Sequence, residues 1–210
     1  MQLNQQYLKA MGIQTWHLKK QSHCQSIHSS EWQELSDAVK KCIACNLHKT
    51  RTQVVFGVGN QQAELMFIGE APGFYEDQKG EPFVGRAGQL LNAMLEAIDM
   101  QRESVYIANI LKCRPPENRD PSSEEVALCT SFLEKQIALV KPKLLVALGR
   151  IAAHYLLNSK VSLGQLRGKL HSYANTPLII TYHPAYLLRN PADKSKAFED
   201  LQSIRNHISG

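Results

Sequence analysis

No stretch of this 210-residue chain approaches the roughly 18 consecutive apolar residues that a membrane span needs, and its first residues lack the apolar core of a secretory leader. A cytoplasmic protein with no membrane contact is expected. Phosphate-binding signatures are missing too. Gly69-Glu70-Ala71-Pro72-Gly73 is not a G-x-G-x-x-G turn, and no Walker lysine follows a glycine loop, so nucleotide hydrolysis is disfavoured. No serine occupies a nucleophile elbow, and no internal repeat is apparent. Neither sign of charge dominates: 24 Lys and Arg face 19 Asp and Glu, a formal net charge of +5. That balance suits a polyanion partner without requiring one. Five cysteines in a reducing compartment argue against a disulfide framework.

Four of those cysteines form two pairs. Cys42 and Cys45 have the C-x2-C spacing that lets neighbouring amides bend around a cation or cluster, and Cys113 and Cys129 flank a proline-rich loop. Such a set reads as the ligands of one metal centre that pins distant segments together. The alternative is buried thiols that merely pack, and spacing alone leaves zinc open as the metal. Cys24 lies in a polar stretch outside both pairs and reads as a bystander.

Residues 1–30 are rich in Gln, His and Ser, and residues 1–34 read as an extension carrying one helix, suggested by Leu3, Tyr7 and Met11. Trp32, Leu35, Val39 and Cys42 share one helical face, which would deliver the first cysteine pair at a helix C-terminus. From there short apolar strands alternate with amphipathic helices: strands at 64–68, 105–111, 144–148 and 178–181, and helices through Leu90–Ile98, Val126–Val140, the segment after Gly149, and Phe198–Ile208. Ser122 with Glu125 predicts a capping box at the start of the second helix. This order implies an α/β three-layer sandwich around a four-stranded parallel sheet, forming one domain over 35–210.

In open sheets of this kind ligands bind beyond the carboxyl ends of the strands. Those ends carry Gly69-Glu70, Asn109, Gly149-Arg150 and Tyr182-His183. A carboxylate, an amide and an imidazole at one rim suit a small polar ring better than a dinucleotide.

Four motifs then resemble those of family 4 uracil-DNA glycosylases: GEAPG from Gly69, GEPFVGRAGQLL from Gly80, ANILKCRPP from Ala108 and YHPAYLLR from Tyr182. With the cysteines, the resemblance spans roughly residues 35 to 208. It implies a structural 4Fe-4S cluster on Cys42, Cys45, Cys113 and Cys129, and excision of uracil from single- or double-stranded DNA by a monomer. In the implied site Phe83 stacks on the flipped base, and Asn109 pairs with uracil N3–H and O4 in a polarity that cytosine inverts. His183 donates to uracil O2, aided by backbone N–H groups from Gly69 to Ala71. Glu70 orients water or balances the cationic sugar, and Glu76 fills the space of a thymine methyl. Family 1 enzymes carry an aspartate where this chain has Ala71, so no dedicated base is apparent beyond Glu70. Leu187 or Leu188 is the expected wedge into the base stack, Arg189 and Arg86 are expected at phosphates, and Lys112, Arg114, Arg119 and Arg167 are expected on the same rim.

Two other classes compete: a non-catalytic nucleic-acid binding protein carrying a cluster or zinc, and an electron-transfer protein. The polar rim disfavours the latter. No Arg-rich insertion precedes His183, which favours turnover over a covalent adduct with DNA.

Overall fold

The computed structural model describes the backbone of residues 22–209 and the side chains of residues 30–208. The expected helix through Leu3, Tyr7 and Met11, and the side chain of Cys24, lie outside the described residues. Six strands form one sheet: β1 (Val58–Gly59), β2 (Leu65–Gly69), β3 (Tyr106–Asn109), β4 (Leu144–Leu148), β5 (Leu170–Tyr173) and β6 (Thr176–Thr181), in the order β1-β3-β2-β4-β6-β5. The four central strands run parallel. β1 and β5 add antiparallel edges, so the expected four-stranded parallel sheet is corrected to a mixed, six-stranded one. β6 and β5 form a hairpin whose two-residue loop, Ala174-Asn175, has positive φ at both positions (47° and 64°), the twist-compatible geometry for a tight hairpin.

Eight helices are described: α1 (Ser22–Lys40), α2 (Phe74–Lys79), α3 (Arg86–Glu96), α4 (Ser123–Val140), α5 (Arg150–Leu157), α6 (Leu163–Leu166), α7 (Pro184–Arg189) and α8 (Lys194–Ser209). Strand periodicity sorts the core into two layers. Met66, Ile68, Tyr106, Ala108, Leu145, Ala147, Leu178 and Ile180 face α1, α4 and α5, where they meet Trp32, Leu133, Ile137 and Ala153. The alternate residues, including Phe67, Ile107, Val146 and Ile179, face Leu91, Met94 and Leu95 of α3 and Leu201 and Ile204 of α8. Both faces of the sheet are thus sealed, which is why the strands read as unbroken apolar runs. The capping box forms as expected: Glu125 N donates to Ser122 Oγ at 3.2 Å and Ser122 N to Glu125 Oε2 at 2.9 Å. Among the described residues no helix is long and apolar enough to cross a membrane.

Candidate active site

The carboxyl ends of the parallel strands open into one cavity of about 780 Å³, lined among others by Glu70, Ala71, Glu76, Phe83, Asn109, His183 and Arg189. β2 delivers Gly69 and Glu70, β3 ends on Asn109, and β6 leads to His183. The ladder continues beyond the strands: Ile110 N donates to Gly69 O at 3.0 Å and Leu111 N to Glu70 O at 3.1 Å. The carboxylate-bearing and amide-bearing segments are therefore tied by main-chain bonds.

Asn109 is 2% exposed, and its Oδ1 has no partner. Buried acceptors are rarely left unpaired, so this oxygen is set for a donor brought by a ligand. Gly69 makes room for it, since a Cβ there would run into Asn109 Oδ1 and lie 2.8 Å from Phe83 Cζ.

His183 is the N-cap of α7, and its Nδ1 accepts from Ala185 N at 3.1 Å. A nitrogen that accepts carries no proton, so the neutral ring bears its hydrogen on Nε2. Burial first, then the positive charge of Arg189, lowers the His183 pKa to about 4, against a smaller opposing pull from Glu76. The ring is a neutral donor at ordinary pH. Gly149, at φ 90°, lets the chain pass here: a Cβ would sit 2.7 Å from His183 Cβ.

Glu70 behaves in the opposite sense. Burial, reinforced by the negative charge of Asp120 and partly offset by Arg150, raises its pKa to about 7. Arg150 and Asp120 pair at 3.3 Å on the cavity wall. A carboxyl poised near neutrality suits proton transfer. Asp120 and Asn118, also on that wall, belong to no motif that marks them in the sequence. Their position in the proline-rich loop after Cys113 was the available signal.

Phe83 is 7% exposed and sits 5.5 Å from the His183 ring, centroid to centroid, at a tilt of 33°. Its φ of 54° is strained for a bulky residue. Three contacts enforce it. Glu76 Oε1 accepts from Val84 N at 3.0 Å and Gly85 N at 3.2 Å, Arg102 Nη2 donates to Pro82 O at 2.5 Å, and Gly88 leaves space where a Cβ would overlap the Phe83 carbonyl.

The expected DNA contacts divide. Arg86, Leu188 and Arg189 are exposed, with Leu188 at 39%, whereas Leu187 is 1% exposed and packs in the core. Leu187 is thereby corrected to a core residue. Lys112 is also buried: its Nζ donates to Asn109 O at 2.7 Å and Gln136 Oε1 at 2.6 Å, and burial pulls its pKa down to about 8. It supports Asn109 from below and does not reach the rim. Arg119 binds Glu125 with both terminal nitrogens, and Arg167 is held by Asp200 at 3.0 Å, so both serve the fold.

The four paired cysteines all line one small apolar cavity between the end of α1 and the start of α4. Arg51 Nη1 donates to Cys113 Sγ at 3.1 Å and Lys112 N to Cys129 Sγ at 3.4 Å. Among the described residues no three Cys, His, Asp or Glu side chains gather at the spacing of a single metal ion. Four cysteine sulfurs around one enclosed space, two of them accepting from N–H donors, are a donor set that suits a multinuclear cluster.

Comparison with known proteins agrees with this geometry. A family model described as the uracil DNA glycosylase superfamily matches residues 56–202. The chain is 44% identical to a type-4 uracil-DNA glycosylase of Archaeoglobus fulgidus over 183 residues, 82% of this chain and 92% of the relative. It is also 44% identical to a type-4 uracil-DNA glycosylase of Thermotoga maritima over 178 residues, 83% and 93% of the two chains, and 43% identical to one of Saccharolobus solfataricus over 184 residues, 83% and 85%. A cavity with a neutral imidazole donor and a partnerless amide oxygen, on a sheet of this topology, and a match over most of the chain lead to one placement: the chain belongs to the uracil-DNA glycosylase superfamily.

Proposed function

We propose that the protein excises uracil from DNA, hydrolysing the bond between uracil N1 and sugar C1′ and leaving an abasic site. The observation that carries this is the pairing, in one cavity, of the orphan Asn109 Oδ1 with a neutral His183 whose Nδ1 is already engaged. Uracil presents N3–H to the first and O2 to the second. Asn109 Nδ2 donates to O4, and cytosine, with an amino group there and a bare N3, opposes the amide at both atoms. Leaving buried polar groups unpaired is the strong form of rejection. Phe83 stacks on the flipped ring, and Glu76, on the same cavity wall, occupies the side where a thymine methyl would project.

In the reaction the N1–C1′ bond breaks with its electron pair leaving on uracil. The anion spreads onto O2, where the fixed His183 Nε2–H stabilises it without reorganisation. The sugar becomes cationic, and the ionised Glu70 stabilises it, orients the attacking water and accepts the water proton as C1′–O forms. Leu188 enters the gap left in the stack, with Arg189 and Arg86 on phosphates. Cys42, Cys45, Cys113 and Cys129 would hold a 4Fe-4S cluster, which supplies cross-linking of the α1 end to the core. The protein acts as a monomer in the cytoplasm.

The test uses a uracil-containing oligonucleotide followed by alkaline cleavage of abasic sites. Wild type is expected to give cleaved strands, His183→Ala to lose most of the rate, and Asn109→Asp to gain activity on cytosine. Intact strands with wild type refute the proposal, and an Asn109→Asp protein still blind to cytosine refutes the role of Asn109.

A further inference from the structure

Two exposed aromatic side chains stand side by side at the mouth of the cavity and take no part in the chemistry above. Phe74 is 49% and Tyr75 62% exposed, and their rings meet edge to face with centroids 5.5 Å apart. They open α2 directly after Pro72 and Gly73, which line the cavity. The guanidinium of Arg114 lies over the Phe74 ring, 5.0 Å from its centroid. Arg114 is itself oriented, because its Nε donates to Asn118 Oδ1 at 2.9 Å, and Asn118 lines the same cavity. Tyr75 leans on Gly85, where a Cβ would lie 3.4 Å from its ring, one residue before the exposed Arg86.

The start of α2 and the loops carrying Gly85 and Arg114 thus combine to hold two exposed rings beside a half-buried cation. Large aromatic side chains are ordinarily buried for most of their area, so an exposed pair beside a binding pocket marks a surface awaiting a partner. Stacked rings with arginine are the means by which proteins grip unpaired nucleic acid, because every base offers a π-face and every phosphate a negative charge. A paired base in a duplex already has both faces covered, so only an unpaired base can use the platform.

We propose that Phe74, Tyr75 and Arg114 form a stacking platform for the unpaired nucleotides flanking the flipped one, making single-stranded DNA a preferred partner of this rim. The platform rests on the reading that the cavity receives a flipped base. Phe74 and Tyr75 receive bases, and Arg114 reinforces the stack while neutralising a neighbouring phosphate.

Direct binding tests this without turnover, so failure of the glycosylase activity shows itself separately, in the alkaline cleavage assay. Fluorescence anisotropy would compare wild type, Phe74→Leu, Tyr75→Leu and Arg114→Gln on single-stranded and duplex oligonucleotides carrying one stable abasic analogue, with 2-aminopurine placed beside it on either flank. Leucine keeps apolar bulk and removes the π-face, and both positions are exposed enough for the fold to tolerate it. Each Leu variant is expected to bind the single strand about 5- to 150-fold more weakly, with less than about a twofold change on duplex, and to lose the quenching of 2-aminopurine on one flank. Equal losses on single strand and duplex, unchanged single-strand affinity, or the same quenching in wild type and Phe74→Leu would overturn the proposal.

Discussion

The pKa of Glu70 gives the sharpest forecast for the chemistry. Burial and the Asp120 charge hold it at about 7 in place of the usual 4.5. At such a value about one tenth of the carboxyl is ionised at pH 6 and about nine tenths at pH 8. If the ionised form handles the water, the single-turnover rate on uracil-containing DNA rises about tenfold between those pH values. His183, at about 4, stays neutral across the window and adds no limb of its own. Glu70→Gln removes the titrating group, so its slower rate should be flat from pH 6 to 8. Asp120→Asn should move the wild-type limb to lower pH and Arg150→Ala to higher pH, because the two charges act on Glu70 in opposite directions. The assay is rapid-quench excision with excess enzyme in buffers of constant ionic strength. A wild-type rate already level at pH 6, or the same climb in Glu70→Gln, refutes the reasoning. Stability carries the matching signature: with its folded pKa above the unfolded value, Glu70 favours folding fully below about pH 4.5, and this contribution is lost as pH rises through about 7.

Other perturbations probe the supports of the site. Lys112→Met strips Asn109 O and Gln136 Oε1 of the ammonium they share, and at about 1–3 kcal/mol per abandoned buried acceptor the urea midpoint should fall. An unchanged midpoint would show that shedding a buried charge offsets the loss. Gly149→Ala drives a methyl to 2.7 Å from His183 Cβ at a φ that disfavours any side chain. Displacing the donor by a fraction of an ångström should lower kcat by about 10- to 100-fold with a smaller effect on KM, and a pure KM effect would argue against His183 as the donor. Cys113→Ser should abolish the visible absorption and iron content expected of the wild type. A colourless wild type loaded with zinc would replace the cluster with a single ion.

The parts of this fold that the sequence made legible are those under the strongest physical constraint. The four parallel strands are covered on both faces, so they stand out as apolar runs, and the glycines and polar residues that end them mark the rim where Glu70, Asn109 and His183 converge. The edge strands escaped notice because β1 has two residues and β5, Leu-His-Ser-Tyr, is half solvated. Their pairing comes from the hairpin turn and from neighbours, not from composition. Lys112, Arg119 and Arg167 read as rim charges because nothing local reveals their partners. Gln136 and Asp200 approach only through tertiary folding, and Glu125, though near in the chain, was already accounted for as a cap. The choice between Leu187 and Leu188 turned on which side of a six-residue helix meets the core, too short a segment for periodicity to decide.

The hydrogen bonds that run on past the ends of β2 and β3 have an evolutionary corollary. They fix the main chain at Gly69 and Glu70 against Ile110 and Leu111 irrespective of which side chains stand there. On the proposed reading, exchanging the side chain at Glu70 or Asn109 alters which nucleobase is recognised while this frame stays put, so new lesion preferences become reachable by single steps.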